Sequence, residues 1–149
     1  MKHTNTRIFN ALATQEQFIL ERLSNLIATC DGSTDQKALE RMRRILELIT
    51  LHLNEQDELI SCVNDRAGVS STVESYESNK RRILGIVGEL TMLSPGDPGM
   101  IAKLKKLAGA VHVLAELEDT RLHRQIRRHI SAAELAGASV SVFARAEAG

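Results

Sequence analysis

The arrangement of prolines constrains this chain more than any other feature. Its only two, Pro95 and Pro98, share one stretch with Gly96 and Gly99: Ser94-Pro95-Gly96-Asp97-Pro98-Gly99. Proline has no amide hydrogen to donate and clashes with the preceding helical turn, so this stretch is a strong break. Everywhere else the strongest helix breaker is missing. Asp97 followed by Pro98 reads as an N-cap and a first helical position, where the missing amide hydrogen costs nothing. Two weaker breaks are Asp31-Gly32-Ser33-Thr34-Asp35, a helix stop followed by capping residues, and Asn64-Asp65-Arg66-Ala67-Gly68, after which Ser70 to Thr72 can cap. Three breaks leave four helical segments: Arg7 to Cys30, Gln36 to Val63, Ser71 to Met92 and Pro98 to Ile130. Short connections favour antiparallel neighbours, so the expected fold is an all-α, up-down-up-down four-helix bundle over residues 1–131. Residues 132–149 form a tail rich in Ala, Gly and Ser that carries Val140, Val142 and Phe143. Of a frayed or loosely packed end, a packing arm and a partner contact, we favour the first.

Composition narrows the functional classes. A chain of 149 residues can bury one ordinary core without staples. Nineteen basic residues balance nineteen acidic ones and only 3% of residues are aromatic. Neither a whole-chain field nor stacking platforms favour nucleic acid. Arg121, Arg124, Arg127 and Arg128 cluster near a helix C-terminus, where cations suit the helix dipole. No apolar run approaches the ~18 residues of a membrane span. The opening MKHTNTRIFNALATQEQF lacks the apolar segment and cleavage site of a secretory signal, so the expected location is cytoplasmic. Cys30 and Cys62 fall near the ends of successive segments, opposite ends of an antiparallel pair, and are expected to be free thiols.

At 100° per residue each segment shows an apolar stripe. The first, Ile8, Leu12, Ile19, Leu23 and Leu26, is interrupted by Gln15 and Glu16. The second, Ile45, Leu48, Ile49, Leu59 and Val63, carries His52 and Gln56 on its centre line, four apart and so one above the other. The third, Val69, Val73, Ile83, Leu84 and Val87, is interrupted by Tyr76 and Lys80. The fourth, Leu104, Leu107, Val111, Leu114 and Leu122, is interrupted by Glu118. Glu16, His52, Gln56, Tyr76, Lys80 and Glu118 are therefore the candidate polar cluster of the core.

The segment His52-Leu53-Asn54-Glu55-Gln56-Asp57-Glu58-Leu59 and the segment Leu114-Ala115-Glu116-Leu117-Glu118-Asp119-Thr120-Arg121-Leu122 resemble the two HLxxEDxL stretches of hemerythrin-like, or HHE cation-binding, bundles. That resemblance implies a four-helix bundle with a di-iron site in its core. Position by position, it places Glu16 where the family has a His ligand, keeps His52, and places Gln56 where it has Glu. Tyr76 and Lys80 stand for the helix-three pair, Leu114 for a His, and Glu118 is kept. Leucine offers no lone pair and an ammonium repels a cation, so the implied di-metal site is degenerate. Lys80 would then supply the charge that metal once supplied by pairing with Glu16 or Glu118, or else snorkel to the surface.

The expected role is that of a non-enzymatic regulator or adaptor, without cofactor, that binds another protein. No glycine-rich phosphate loop or nucleophile with a base is evident. Length and the Glu118-Asp119 segment are also similar to a helical bacterial regulator that sequesters the housekeeping sigma factor, which implies a transcription or signalling component as partner. The candidate partner surface is Arg121, Arg124, Arg127, Arg128 and Phe143. A second reading is a metal- or oxygen-binding domain using iron or zinc on unusual ligands, His52, Glu16 and Glu118. A third is a small-ligand bundle with His52 as a general base and Glu16 or Glu118 beside it. His3, His112, His123 and His129 lie outside the implied ligand set; His112 faces away from the fourth stripe and His123 and His129 sit in the basic helix end. Any of them could join an improvised mononuclear zinc site, although their spacings form no i, i+4 pair.

Overall fold

The structure, a computed structural model, describes residues 2–30, 35–66, 68–138 and 140. Among these the chain is all-helical. Its order is α1 (Lys2–Thr29), α2 (Gln36–Ser61), α3 (Ser70–Thr91), α4 (Met100–Leu117), a π-helical turn (Glu118–Leu122), α5 (His123–His129) and α6 (Ala132–Gly137). Helix α1 packs on α2 and α4, while α3 packs on α4 and less extensively on α2. Among the described residues, no helix is long and apolar enough to cross a membrane.

The breaks fall where expected, but two are built differently. Asp35 does cap α2, its carboxylate accepting from the Ala38 amide at 2.7 Å. Asp97 does not cap α4. Its carboxylate accepts from the Ser94 amide at 2.8 Å and its own amide donates to the Ser94 carbonyl at 3.0 Å, so Asp97 closes the loop on itself. Gly99 precedes Met100 instead, at a φ of 88° that only glycine adopts without strain. Helix α3 starts behind Val69 without a side-chain cap, leaving Ser70 inside the helix. Helix α1 extends back to Lys2, because nothing between Met1 and Arg7 breaks it.

The stripes form one core of Leu12, Ile19, Leu23, Leu39, Met42, Ile83, Leu104, Leu122 and their neighbours. Leu84 is a correction, exposed at 39%. Tyr76, Ile83, Ile86 and Leu90 are the buried face of α3, and Leu84 lies one step, ~100°, around the helix from Ile83. The cysteines are free thiols, both half-buried.

Residues 132–137 are not frayed. Ser131 and Glu134 form a reciprocal capping box, and Leu135 is 3% exposed. The Arg66 guanidinium ties this short helix down, bonding Glu134 at 3.0 Å and the carbonyl of His129. Val140 packs partly buried against the core, while Phe143 lies outside the described residues. Leu135→Ala is accordingly expected to cost about 2–5 kcal/mol, as for other buried leucines, in denaturant unfolding. A loss within ~0.5 kcal/mol, typical of surface sites, would mean that α6 is not docked.

Candidate functional site

Six helical positions bring their side chains together in the core. Helix α1 supplies Gln15 and Glu16, and α2 supplies His52 and Gln56 one turn apart. The π turn supplies Glu118, and α5 opens with His123. All six are buried.

His52 is at the centre. Its Nδ1 lies 2.7 Å from Gln15 Oε1, an oxygen that only accepts, so Nδ1 carries the hydrogen. The Gln15 amide is held in that sense by donating its nitrogen hydrogen to Glu55 at 2.6 Å. Nε2 therefore faces the carboxylates, 3.1 and 3.3 Å from the two oxygens of Glu118 and 3.6 Å from Glu16 Oε2. Glu16 Oε2 makes no hydrogen bond. Burial and the adjacent Glu118 carboxylate push Glu16 up to about 8, while its contact with His52 pulls the other way. Burial alone would lower His52, but hydrogen bonds and charge from Glu118 and Glu16 outweigh it and raise it to about 10.

Two carboxylates aimed at one imidazole nitrogen in the core cannot both be charged alone; the balance comes from a proton on Glu16, a proton on Nε2 or a metal ion. The nearest oxygens of Glu16, Glu118 and the His52 nitrogen lie within 4.8 Å of one another and can hold a metal ion. The Nε2 to carboxylate spacings of 3.1 and 3.6 Å are close to the edge of a tetrahedron around zinc, roughly 3.4 Å for bonds of about 2.1 Å. The Nδ1–H to Gln15 contact is the outer-shell bond by which ligating histidines are usually oriented.

The other residues of the expected cluster do not join it as ligands. Lys80 pairs with neither Glu16 nor Glu118. Its ammonium donates to Asp57 at 2.9 Å and approaches Glu77 at 3.7 Å, and the Asp57 hydrogen bond raises its pKa. Tyr76 also turns to Asp57, donating to it at 2.9 Å with the Leu53 carbonyl oxygen 3.2 Å away. Burial, then the Asp57 charge, drive its phenol upward. Asp57, on the α3-facing side of α2, intercepts both groups. Leu114 is part of the apolar core. A second ion would meet a phenol already bonded to Asp57 at position 76, an ammonium at 80 and no lone pair at 114, so the residues do not fit the di-metal site that the resemblance implies.

The sequence pattern assigns no role to Asp57, gives Gln15 none beyond breaking a stripe, and misplaces His123. At 100° per residue, His123 lies five steps from Glu118, about 140° off its face. The π turn changes this, with the His123 amide closing on the Glu118 carbonyl and the ring facing inward, 7% exposed. Gln56 donates to Glu118 Oε1 and lies 2.9 Å from His123 Nε2 through the same nitrogen. Burial pushes His123 down to about 4, and the Phe9 ring packs on it at 5.0 Å between centroids. A cavity of about 280 Å³, lined by Phe9, Asn10, Glu16, Asp119, His123 and Arg127 among others, reaches this side of the cluster. His112 is exposed, as are Arg121, Arg124, Arg127 and Arg128.

No protein-family model matches the chain, and no curated protein or solved structure matches it either.

Two outcomes are expected. Lys80→Met should cost less than about 1 kcal/mol, because the Asp57 pair is partly exposed and Asp57 keeps Tyr76. A loss of 3 kcal/mol or so, typical of a broken buried pair, would return Lys80 to the core. For the metal-free protein, His52 and Glu16 both have raised folded pKa values, so their stabilisation is greatest below the unfolded values. It is lost as pH rises through about 8 for Glu16 and about 10 for His52. His123, lowered to about 4, acts oppositely, losing stability as pH falls below its ordinary value of 6.5. Thermal melts should therefore show the midpoint falling steadily above neutrality, with Glu16→Gln flattening that fall. A level wild-type profile from pH 6 to 10 would contradict this assignment.

Proposed function

We propose that this chain is a hemerythrin-like, up-down-up-down four-helix bundle that holds a single divalent transition-metal ion on Glu16, His52 and Glu118. Its role is sensing or regulation, exerted through contact with another protein rather than by catalysis. The observation that carries this reading is the pair of buried carboxylates facing His52 Nε2, with Glu16 Oε2 lacking a hydrogen bond and Gln15 fixing the tautomer that leaves Nε2 free to ligate. Iron and zinc both suit one imidazole with two carboxylates. The ion would supply the positive charge that lets both carboxylates ionise in the core, and Gln15 would hold the ring in its ligating orientation.

A deeply buried donor set supports regulation over turnover. Glu16, His52 and Glu118 are 4%, 2% and 0% exposed, and of the three only Glu16 lines the neighbouring cavity. The exposed arginines Arg121, Arg124, Arg127 and Arg128 lie on the π turn and α5, the same stretch that delivers Glu118. Occupancy of the core therefore has a short path to a basic surface suited to an acidic protein partner. The competing reading is a metal-free adaptor in which His52 keeps its proton, and the 3.1 Å contact from Nε2 to Glu118 favours it as an imidazolium–carboxylate pair.

Metal titration separates the two. Chelator-stripped protein titrated calorimetrically with Zn(II), and with Fe(II) under anaerobic conditions, should take up one equivalent of one of them. His52→Ala and Glu118→Gln should each weaken binding by at least about tenfold. Absence of saturable binding by either ion in the folded protein would exclude the metal-binding reading and leave the metal-free adaptor.

A further inference from the structure

We propose that His123 is the fourth ligand of the core ion and that Gln56 is the latch that holds its Nε2 in place until the ion arrives. This rests on the reading of Glu16, His52 and Glu118 as metal ligands, and extends it to a residue outside the set implied by the resemblance.

One amide nitrogen joins the two residues at issue. Gln56 Nε2 contacts Glu118 Oε1 and lies 2.9 Å from His123 Nε2. Its contact with a carboxylate oxygen orients the amide, since the carbonyl oxygen of Gln56 could only repel Glu118 there. The same His123 Nε2 lies 3.2 Å from the Gln56 carbonyl oxygen, so it can accept from the amide NH2 or, as the other tautomer, donate to that oxygen. In the first arrangement its lone pair is directed at a hydrogen that stands between it and Glu118. The two ligand-type atoms are no further apart than two hydrogen bonds end to end.

The backbone explains why this histidine arrives there. The turn Glu118–Leu122 is π-helical and the His123 amide donates to the Glu118 carbonyl, five residues back. Single π turns inside α-helices are uncommon and often mark functional sites. Phe9 packs on the ring from α1, limiting its rotation. The cavity that reaches Glu16 also touches His123, which gives an ion a route from solvent to the proposed four-ligand set. Rotation of the Gln56 side chain would release both Glu118 and His123 at once. The resulting set, two imidazoles and two carboxylates, completes four-coordination, the usual number for a closed structural zinc site. It also links ion capture to the first residue of α5, the helix that bears Arg124, Arg127 and Arg128.

The test uses the whole chain and Co(II) as the ion, with Zn(II) for resonance measurements. Wild-type protein should bind one Co(II) with the intense visible bands of a four-coordinate site. In His123→Ala the bands should weaken and shift, and affinity should fall by roughly tenfold or more. Gln56→Ala should bind at least as tightly as wild type, because the latch is gone and no ligand is. Long-range 1H–15N spectra of unmodified protein give a readout that needs no variant: Zn(II) should move the His123 Nε2 resonance together with that of His52. If His123 Nε2 stays unmoved while His52 Nε2 shifts, the fourth-ligand proposal is wrong and the three-ligand reading stands. Loss of binding in Gln56→Ala equal to that in His123→Ala would make Gln56 a ligand and overturn the latch. If folded wild-type protein binds neither Co(II) nor Zn(II), both the three-ligand reading and this extension fail.

Discussion

The interaction on which the rest of the core depends is the approach of two buried carboxylates to the same imidazole nitrogen. Away from water, like charges this close cannot both persist without a counter-charge, and His52 is the only cationic side chain within contact of both Glu16 and Glu118 among the described residues. The shell around it can be understood from that demand. Gln15 fixes which nitrogen of the ring faces inward, and Gln56 satisfies a Glu118 oxygen from the other side. A polar group left unmatched in such a place costs more than a typical hydrogen bond contributes, and in this cluster Glu16 Oε2 is the carboxylate oxygen left without one.

A second polar knot sits on the α2–α3 side, where Asp57 takes both the Tyr76 hydroxyl and the Lys80 ammonium. Asp57 is one-third exposed, so water shares with Tyr76 and Lys80 in solvating its carboxylate. The two knots divide the labour along α2. Residues 52 and 56 face the inner cluster, while residue 57, a single step around the helix, satisfies α3. Lys80 therefore stays near the rim, and its charge plays no part in balancing Glu16 and Glu118.

Helix existence was legible because proline is confined to one stretch while apolar residues recur at helical spacing. Ends were less so, because Asp97 has two uses open to it, a cap or a loop closure, and only the path of the loop decides between them. Among the site residues, Glu16, His52 and Glu118 could be found from polar breaks in otherwise apolar stripes. The destination of Lys80 could not, since its long stem reaches either way and Asp57, outside the stripe, decides the matter. His123 was hidden for a different reason: a stripe assumes one pitch throughout, and the chain changes pitch immediately before it.

That change of pitch makes chain length itself a determinant of the site. An added residue is absorbed within Glu118–Leu122 without breaking the helical path, so α5 is turned about the axis relative to an uninterrupted α-helix. Restoring ordinary pitch at the present length would rotate α5 by roughly 100°, carrying His123 out of the core and the arginines to a new side. Removing one residue as well would cancel that rotation, leaving the histidine four residues after Glu118 and on its face. Across related sequences, a spacing of five residues should accordingly go with a π turn and a spacing of four with an unbroken α-helix.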